Sequence, residues 1–293
     1  MAAVEIYIWD VERGDAIFIK GPERNAIIDL GQHANGFSPS RHIHTQHGVD
    51  SVDYLVLTHP DEDHIEDLPE FQSYFSPEVV ARRDEADKYI RRRKNDLYPD
   101  RSHYQAVTEA YLTLTDTYDQ RATFSPSKPS WNGGLTFSHH ILSLEEAGTA
   151  PIEGLTDNET VNLNNLSILT VLEFGSFKLV TAGDLEKEAI ETLLQKSSVQ
   201  DDLRGTDVLI APHHGRESSY TPKLFKYTTP DLVAISDAKA GSTNASQKYS
   251  AQATGATVFR RSGSTTSRSV VTTRQDGVID LGIDDDGYRV RID

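Results

Sequence analysis

The segment Thr58-His59-Pro60-Asp61-Glu62-Asp63-His64 packs two imidazoles and three carboxylates into six positions, straight after an apolar strand at 54–58. Few structural needs explain that density at a strand's carboxyl end. A turn of alternating donors can point His59 and Asp61 at one metal while Asp63 and His64 face a second. Neutral imidazole with carboxylate suits zinc, manganese or iron. The competing account is an exposed acidic turn with incidental histidines.

Two later strands end in similar chemistry. Val180-Thr181-Ala182-Gly183-Asp184 closes on a Gly-Asp pair, where glycine allows close backbone approach and Asp184 can bridge two cations. Taken alone, that pair also reads as a plain turn. Val208-Leu209-Ile210-Ala211-Pro212-His213-His214-Gly215 runs into adjacent histidines. Neighbouring side chains leaving a strand point in different directions, so one imidazole can ligate metal while the other binds a phosphate oxygen or acts as a general acid. The residues do not say which does which. The absence of cysteine removes disulfides, thiolate ligands and cysteine nucleophiles together, leaving nitrogen and oxygen donors for any metal.

The chain has 293 residues, 37% hydrophobic and 25% charged, as expected of a folded, soluble protein. Its formal charge of −16 disfavours non-specific attraction to phosphate backbones and anionic lipid, an objection that bound cations would partly offset. The amino terminus alternates as a strand and does not read as a signal peptide. No apolar stretch is long enough to span a bilayer, so no membrane association and a cytoplasmic location are expected.

The apolar runs at 4–9, 16–20 and 26–30 predict a small meander, and strand patterns return at 135–142, 167–173, 177–181, 208–211 and 232–236. Residues 186–195 read as a helix and 257–293 as a final meander. Between these strand regions, 77–130 turns charged and helical and reads as an insertion within a single domain spanning 1–293. There Tyr104, Val107, Tyr111, Leu114 and Tyr118 share one helix face. That face is a candidate surface for a protein partner or a homodimer. The same stretch holds the only dense basic runs, Arg82-Arg83 and Arg91-Arg92-Arg93-Lys94, which either grip a phosphate backbone or form a solvated helix face beside nearby acids. His33, His42, His44 and His47 fall in 31–48, read as a flexible loop. His139 and His140 lie on a strand and read as structural.

Together these residues resemble the metallo-β-lactamase superfamily and, within it, the soluble hydrolase domain of ComEC-type competence proteins. Asp10-Val11-Glu12-Arg13-Gly14-Asp15, Ile27-Ile28-Asp29-Leu30-Gly31, Asn164-Asn165-Leu166-Ser167, Gly183-Asp184 and Pro212-His213-His214-Gly215 follow in that branch's order. The resemblance implies an α+β fold, a four-layer αββα sandwich, carrying two divalent metal ions, zinc or manganese, at the sandwich edge. It implies His59, Asp61, Asp63, His64, Asp184, His213 and His214 as the metal set. Asp63, His64, His213 and His214 would be the catalytic members, with a hydroxide bridging the ions as nucleophile. Asp61 stands where many members carry a second histidine, which hardens the first site towards manganese. Asn164 and Asn165 are candidates for an amide-oxygen ligand where the third-motif histidine is lacking. No Asn and His-Pro step follows the last strand as in the competence branch. The expected activity is a phosphodiesterase, more narrowly a nuclease with a nucleic-acid substrate. The alternatives are hydrolysis of a small ester, lactone, thioester or nucleotide, or a partner-regulated effector subunit.

Overall fold

The computed structural model describes residues 3–120, 122, 125–148, 161–237 and 244–293. Three strands, β1 (Val4–Ile8), β2 (Ile17–Lys20) and β3 (Asn25–Ile28), form the antiparallel meander that the opening apolar runs predict. Two more, β4 (Tyr54–Val56) and β5 (Val79–Ala81), extend it in parallel. A second sheet is built from β6 (Thr136–His140), β7 (Leu169–Phe174), β8 (Phe177–Thr181), β9 (Val208–Ile210) and β10 (Leu232–Ile235).

The tail is not one meander. Strands β11 (Ala256–Arg260) and β12 (Thr265–Arg268) join the first sheet, whereas β13 (Val270–Thr272) crosses to pair in parallel with β10. The last pair, β14 (Ile279–Asp284) and β15 (Gly287–Ile292), returns to lie beside β1. The crossing is held by Asp276, whose carboxylate accepts the Thr272 N–H and pairs with Arg268. Long-range pairing of this kind leaves no local sequence signal.

Strand alternation makes two cores. Ile6, Ile8, Ile17, Ile19 and Ile28 of the first sheet belong with Phe137, Leu172, Leu179 and Ile210 of the second, in the layer between the sheets. The alternate residues Phe18, Ile27 and Leu55, and Val180, Leu209 and Val233, belong instead with helical side chains such as Ile43, Phe71, Ile190 and Leu193. The result is an αββα sandwich.

Two stretches depart from their sequence reading. The 77–130 region opens with β5, the edge strand of the first sheet, before its helices Asp87–Arg92 and Ser102–Thr117. Tyr104, Val107, Tyr111 and Leu114 are buried in the chain's own core, so the aromatic face is already covered. Residues 31–48, read as a flexible loop, contain the helix Pro39–Gln46. It starts at Ser38, whose side chain accepts the Arg41 N–H, with Pro39 at the first turn. Its histidines serve packing: His42 and His47 meet Trp9 edge-on and His44 stacks on Tyr74.

Candidate metal centre

Four loops converge where β3, β4, β8 and β9 end. After β3 the chain turns at Asp29, which is fully buried at φ 57°. One carboxylate oxygen accepts the Thr58 backbone N–H at 2.7 Å, and the other accepts the Thr58 hydroxyl at 2.6 Å and faces His64 Nδ1 at 2.8 Å. Asp29 therefore orients His64 and raises the basicity of its far nitrogen, Nε2, which looks into the centre. The acidic turn that follows β4 carries His59 and Asp61 and enters the short helix Glu62–Ile65, which holds Asp63 and His64.

Asp184 sits between two pairs of imidazoles. Its Oδ1 lies 3.4 Å from Nε2 of His64 and 3.4 Å from Nε2 of His214. Its Oδ2 lies 3.9 Å from Nε2 of His59 and 3.6 Å from Nε2 of His213. Gly183 makes this position reachable: at φ 50°, an added Cβ would come within 2.8 Å of Thr58. Ser167 accepts the Asp184 N–H and Asn165 Oδ1 accepts the Glu186 N–H. The Asn165 amide also donates to Ala147, so this candidate ligand braces the Asp184 loop instead.

Both histidines after β9 face the carboxylate, which strand geometry alone would not allow. His213 and His214 are consecutive residues in the left-handed region, at φ 48° and 56°. Each such non-glycine residue costs roughly 1–3 kcal/mol and persists where the surroundings enforce it. The left-handed turn swings both rings to one side.

Ligand atoms of Asp63, His64 and His214 lie within 4.8 Å of one another, as do those of His59, His64 and Asp184. Among the described residues, buried Nε2 of His59, Nε2 of His64 and Oδ1 of Asp184 take no protein hydrogen bond. Orphaned buried donors and acceptors at one point are unfavourable unless something else satisfies them. Nitrogen and carboxylate oxygen at these spacings fit divalent cations. The titration pattern agrees. Burial and the neighbouring imidazoles push His59 well below the usual range, towards the neutral ligand form. Burial opposes charge on His64 and His214, but Asp184 outweighs it, raising His64 well up and His214 to about 9. Asp184 is held well below the usual carboxylate range, because His214 and His64 overcome its burial. The cluster stores positive charge on its imidazoles where a cation would sit.

Several contributors escaped the sequence reading. Asp15, which burial pushes up to about 6, lies 4.0 Å from Nδ1 of His214. Its neighbour Gly14, at φ 75°, packs so closely on the acidic turn that a Cβ would fall 1.7 Å from the Asp63 carbonyl oxygen. Arg93 Nη1 donates to Asp61 Oδ1 at 2.7 Å, while Asp61 Oδ2 stays 3.8 Å from Nε2 of His59. Arg216 Nη1 donates to Nε2 of His213 at 2.5 Å, and burial holds that imidazole down at about 4. The other members of the two basic runs are engaged elsewhere: Arg82 with Asp84 and Asp87, Arg83 with Glu85, Arg91 with Asp116, Arg92 with Asp96 and Lys94 with Glu109. His139 and His140 lie apart from the centre, bonded to Tyr54, Thr170 and Asp202.

The fold and the converging donors define a metal-dependent hydrolase of known architecture. The family model for the Metallo-beta-lactamase superfamily matches residues 9–236, and the chain belongs to that superfamily. Among curated relatives it is similar to ComE operon protein 3 of Bacillus subtilis (strain 168), 24% identical over 253 residues. That match covers 80% of this chain and 28% of the relative, so the chain spans little more than a quarter of that protein's length. Among solved structures it is similar to Zn(2+)-bound PqqB from Methylobacterium extorquens, at 11% identity and a TM-score of 0.50, over 90% of this chain and 86% of that one. It is also similar to a diphosphatase of the PhnP family, at 12% identity and a TM-score of 0.46, over 92% of this chain and 84% of that one. No helix among the described residues is long and apolar enough to cross a membrane.

Proposed function

We propose that the chain is a phosphodiesterase, more narrowly a nuclease, working with a pair of divalent cations, zinc or manganese. The observation that carries the reading is the Asp184 carboxylate, set between His64 and His214 on one oxygen and His59 and His213 on the other. In this reading Asp63, His64 and His214 would hold one ion, His59 and Asp61 the other, with Asp184 between them, while His213, whose Nε2 accepts from Arg216, would contact the substrate or move a proton. Such a pair, when bound, polarises phosphoryl oxygens and makes water nucleophilic near neutral pH. The chain's own residues fix the geometry. Asp29 sets the His64 ring, Arg93 holds one oxygen of Asp61 and leaves the other facing His59, and burial, with Arg216 beside it, keeps His213 neutral. No side chain at the centre needs to act as a covalent nucleophile.

The resemblance to ComEC-type hydrolase domains supports nucleic acid as substrate, and the guanidinium beside Asp61 supports an anionic one. The test incubates metal-loaded protein with labelled single- and double-stranded DNA, RNA and a simple phosphodiester, with zinc or manganese, beside Asp63→Ala and His64→Ala. Cleavage that needs metal and disappears in both variants is the expected result. Metal binding with every phosphodiester left intact would end the nuclease reading and bring small-ester hydrolysis forward.

A further inference from the structure

A cleft of about 510 Å³ opens beside the metal centre, on the side of Asp61 and Asp63. Its wall comes from the 77–130 region: Arg93 begins a π-helical turn, Arg93–Leu97, and Tyr104 projects from the helix Ser102–Thr117. Single π turns inside helices are frequent at functional sites, because the extra residue redirects a side chain. Here Arg93 is the one member of its basic run that reaches Asp61.

Two donors in this wall lack acceptors among the described residues. With Nη1 of Arg93 engaged by Asp61, its Nε is buried and takes no partner. The hydroxyl of Tyr104, a residue only 4% exposed, is likewise buried without one. The two residues line the same cleft. Arg13 also lines the cleft, exposed and with no carboxylate partner among the described residues. The other cation near the mouth, Arg101, is paired with Glu62, and His103 with Glu66. Of the carboxylates lining the cleft, Asp61 is held by Arg93, and Asp63 belongs to the metal centre.

We infer that Arg93 and Tyr104, with the exposed Arg13, form a subsite for a phosphoryl oxygen of the substrate, adjoining the metal centre. A guanidinium already anchored through one nitrogen offers its remaining N–H groups in a fixed plane, which suits a tetrahedral oxyanion. A phenol beside it adds a neutral donor that cannot repel the anion. A neutral carboxylic ester presents no such charge, so the subsite selects phosphoryl substrates. The inference deepens the phosphodiesterase reading and rests on it.

The test measures inorganic phosphate binding by calorimetry on full-length, metal-loaded protein, with metal content determined for each variant. Arg93→Gln is expected to weaken phosphate about 10- to 100-fold and Tyr104→Phe about 3- to 10-fold, as for loss of a charged and a neutral hydrogen bond. In Tyr104→Phe metal content should remain that of the wild type. Tyr104→Phe preserves shape, so it decides the matter even if Arg93→Gln folds poorly. Turnover of bis(p-nitrophenyl) phosphate should show KM raised more than kcat is lowered, with p-nitrophenyl acetate turnover insensitive to Tyr104→Phe. Wild-type affinity retained in both variants, no phosphate binding by the wild type, or loss of metal as the sole effect of Arg93→Gln would overturn the subsite. Phosphodiester turnover indifferent to both variants removes the subsite alone. Variant-sensitive phosphate binding with no phosphodiester turnover removes the activity reading alone.

Discussion

Asp29 shows how a residue can govern the centre without facing the substrate. It is fully buried, satisfies Thr58 twice and meets His64 on the nitrogen that points away from Asp184. Replacing its charge weakens the ring's donor strength and frees its orientation. Asp29→Asn is expected to lower metal affinity about 10- to 100-fold while leaving the folded structure in place. Competition with a chelating dye measures this, and unchanged affinity would show that His64 needs no such support. The donor side chains that converge were legible at this scale because one turn carries His59, Asp61, Asp63 and His64 together. Arg93, Arg216 and Tyr104 were not. Which arginine of a basic run reaches the centre depends on helical phase after a π turn, and two left-handed histidines are invisible to strand periodicity.

At the scale of elements, the strands were readable wherever apolar runs ended in a turn. The crossing of β13 and the helix at Pro39–Gln46 were not. In the second case the Ser-Pro start signal was present, but four histidines in a polar stretch favoured a loop. The contact between the sheets at β6 makes a pH prediction. His139 meets the Tyr54 hydroxyl through Nε2 and the Thr170 hydroxyl through Nδ1, so the neutral ring is fully satisfied, accepting from one and donating to the other. Burial, with a smaller contribution from His140, lowers its pKa from 6.5 to about 4. The unfolded chain therefore binds the proton first as pH falls. Stability from the neutral ring is fully present above pH 6.5 and is lost as pH drops towards 4. The loss is at most about 3 kcal/mol. Urea unfolding across that window should give a flatter curve for His139→Gln than for the wild type; parallel curves would rule the linkage out.

For the whole molecule, the acidic composition and the metal centre are one electrostatic problem. The chain carries −16 overall, and Asp15, Asp29 and Asp184 are buried within the same small volume as Asp61 and Asp63. Protonated imidazoles can neutralise part of that charge, but divalent cations neutralise it more completely and bind only where the four loops have assembled. Metal binding should therefore stabilise the fold as a whole. At free metal about 100 times Kd the gain is about 2.7 kcal/mol, which for a chain of this size raises Tm by roughly 4 °C. Thermal unfolding of chelator-treated and of zinc- or manganese-loaded protein measures the increment. In Asp184→Asn the increment should shrink, because the group lying between the two histidine pairs no longer brings a full charge. The comparison also separates two accounts of the centre. If metal raises Tm equally in the wild type and in Asp184→Asn, the cations bind elsewhere on the acidic surface. If it raises Tm in the wild type alone, assembly of the four loops and occupation of the centre are the same event.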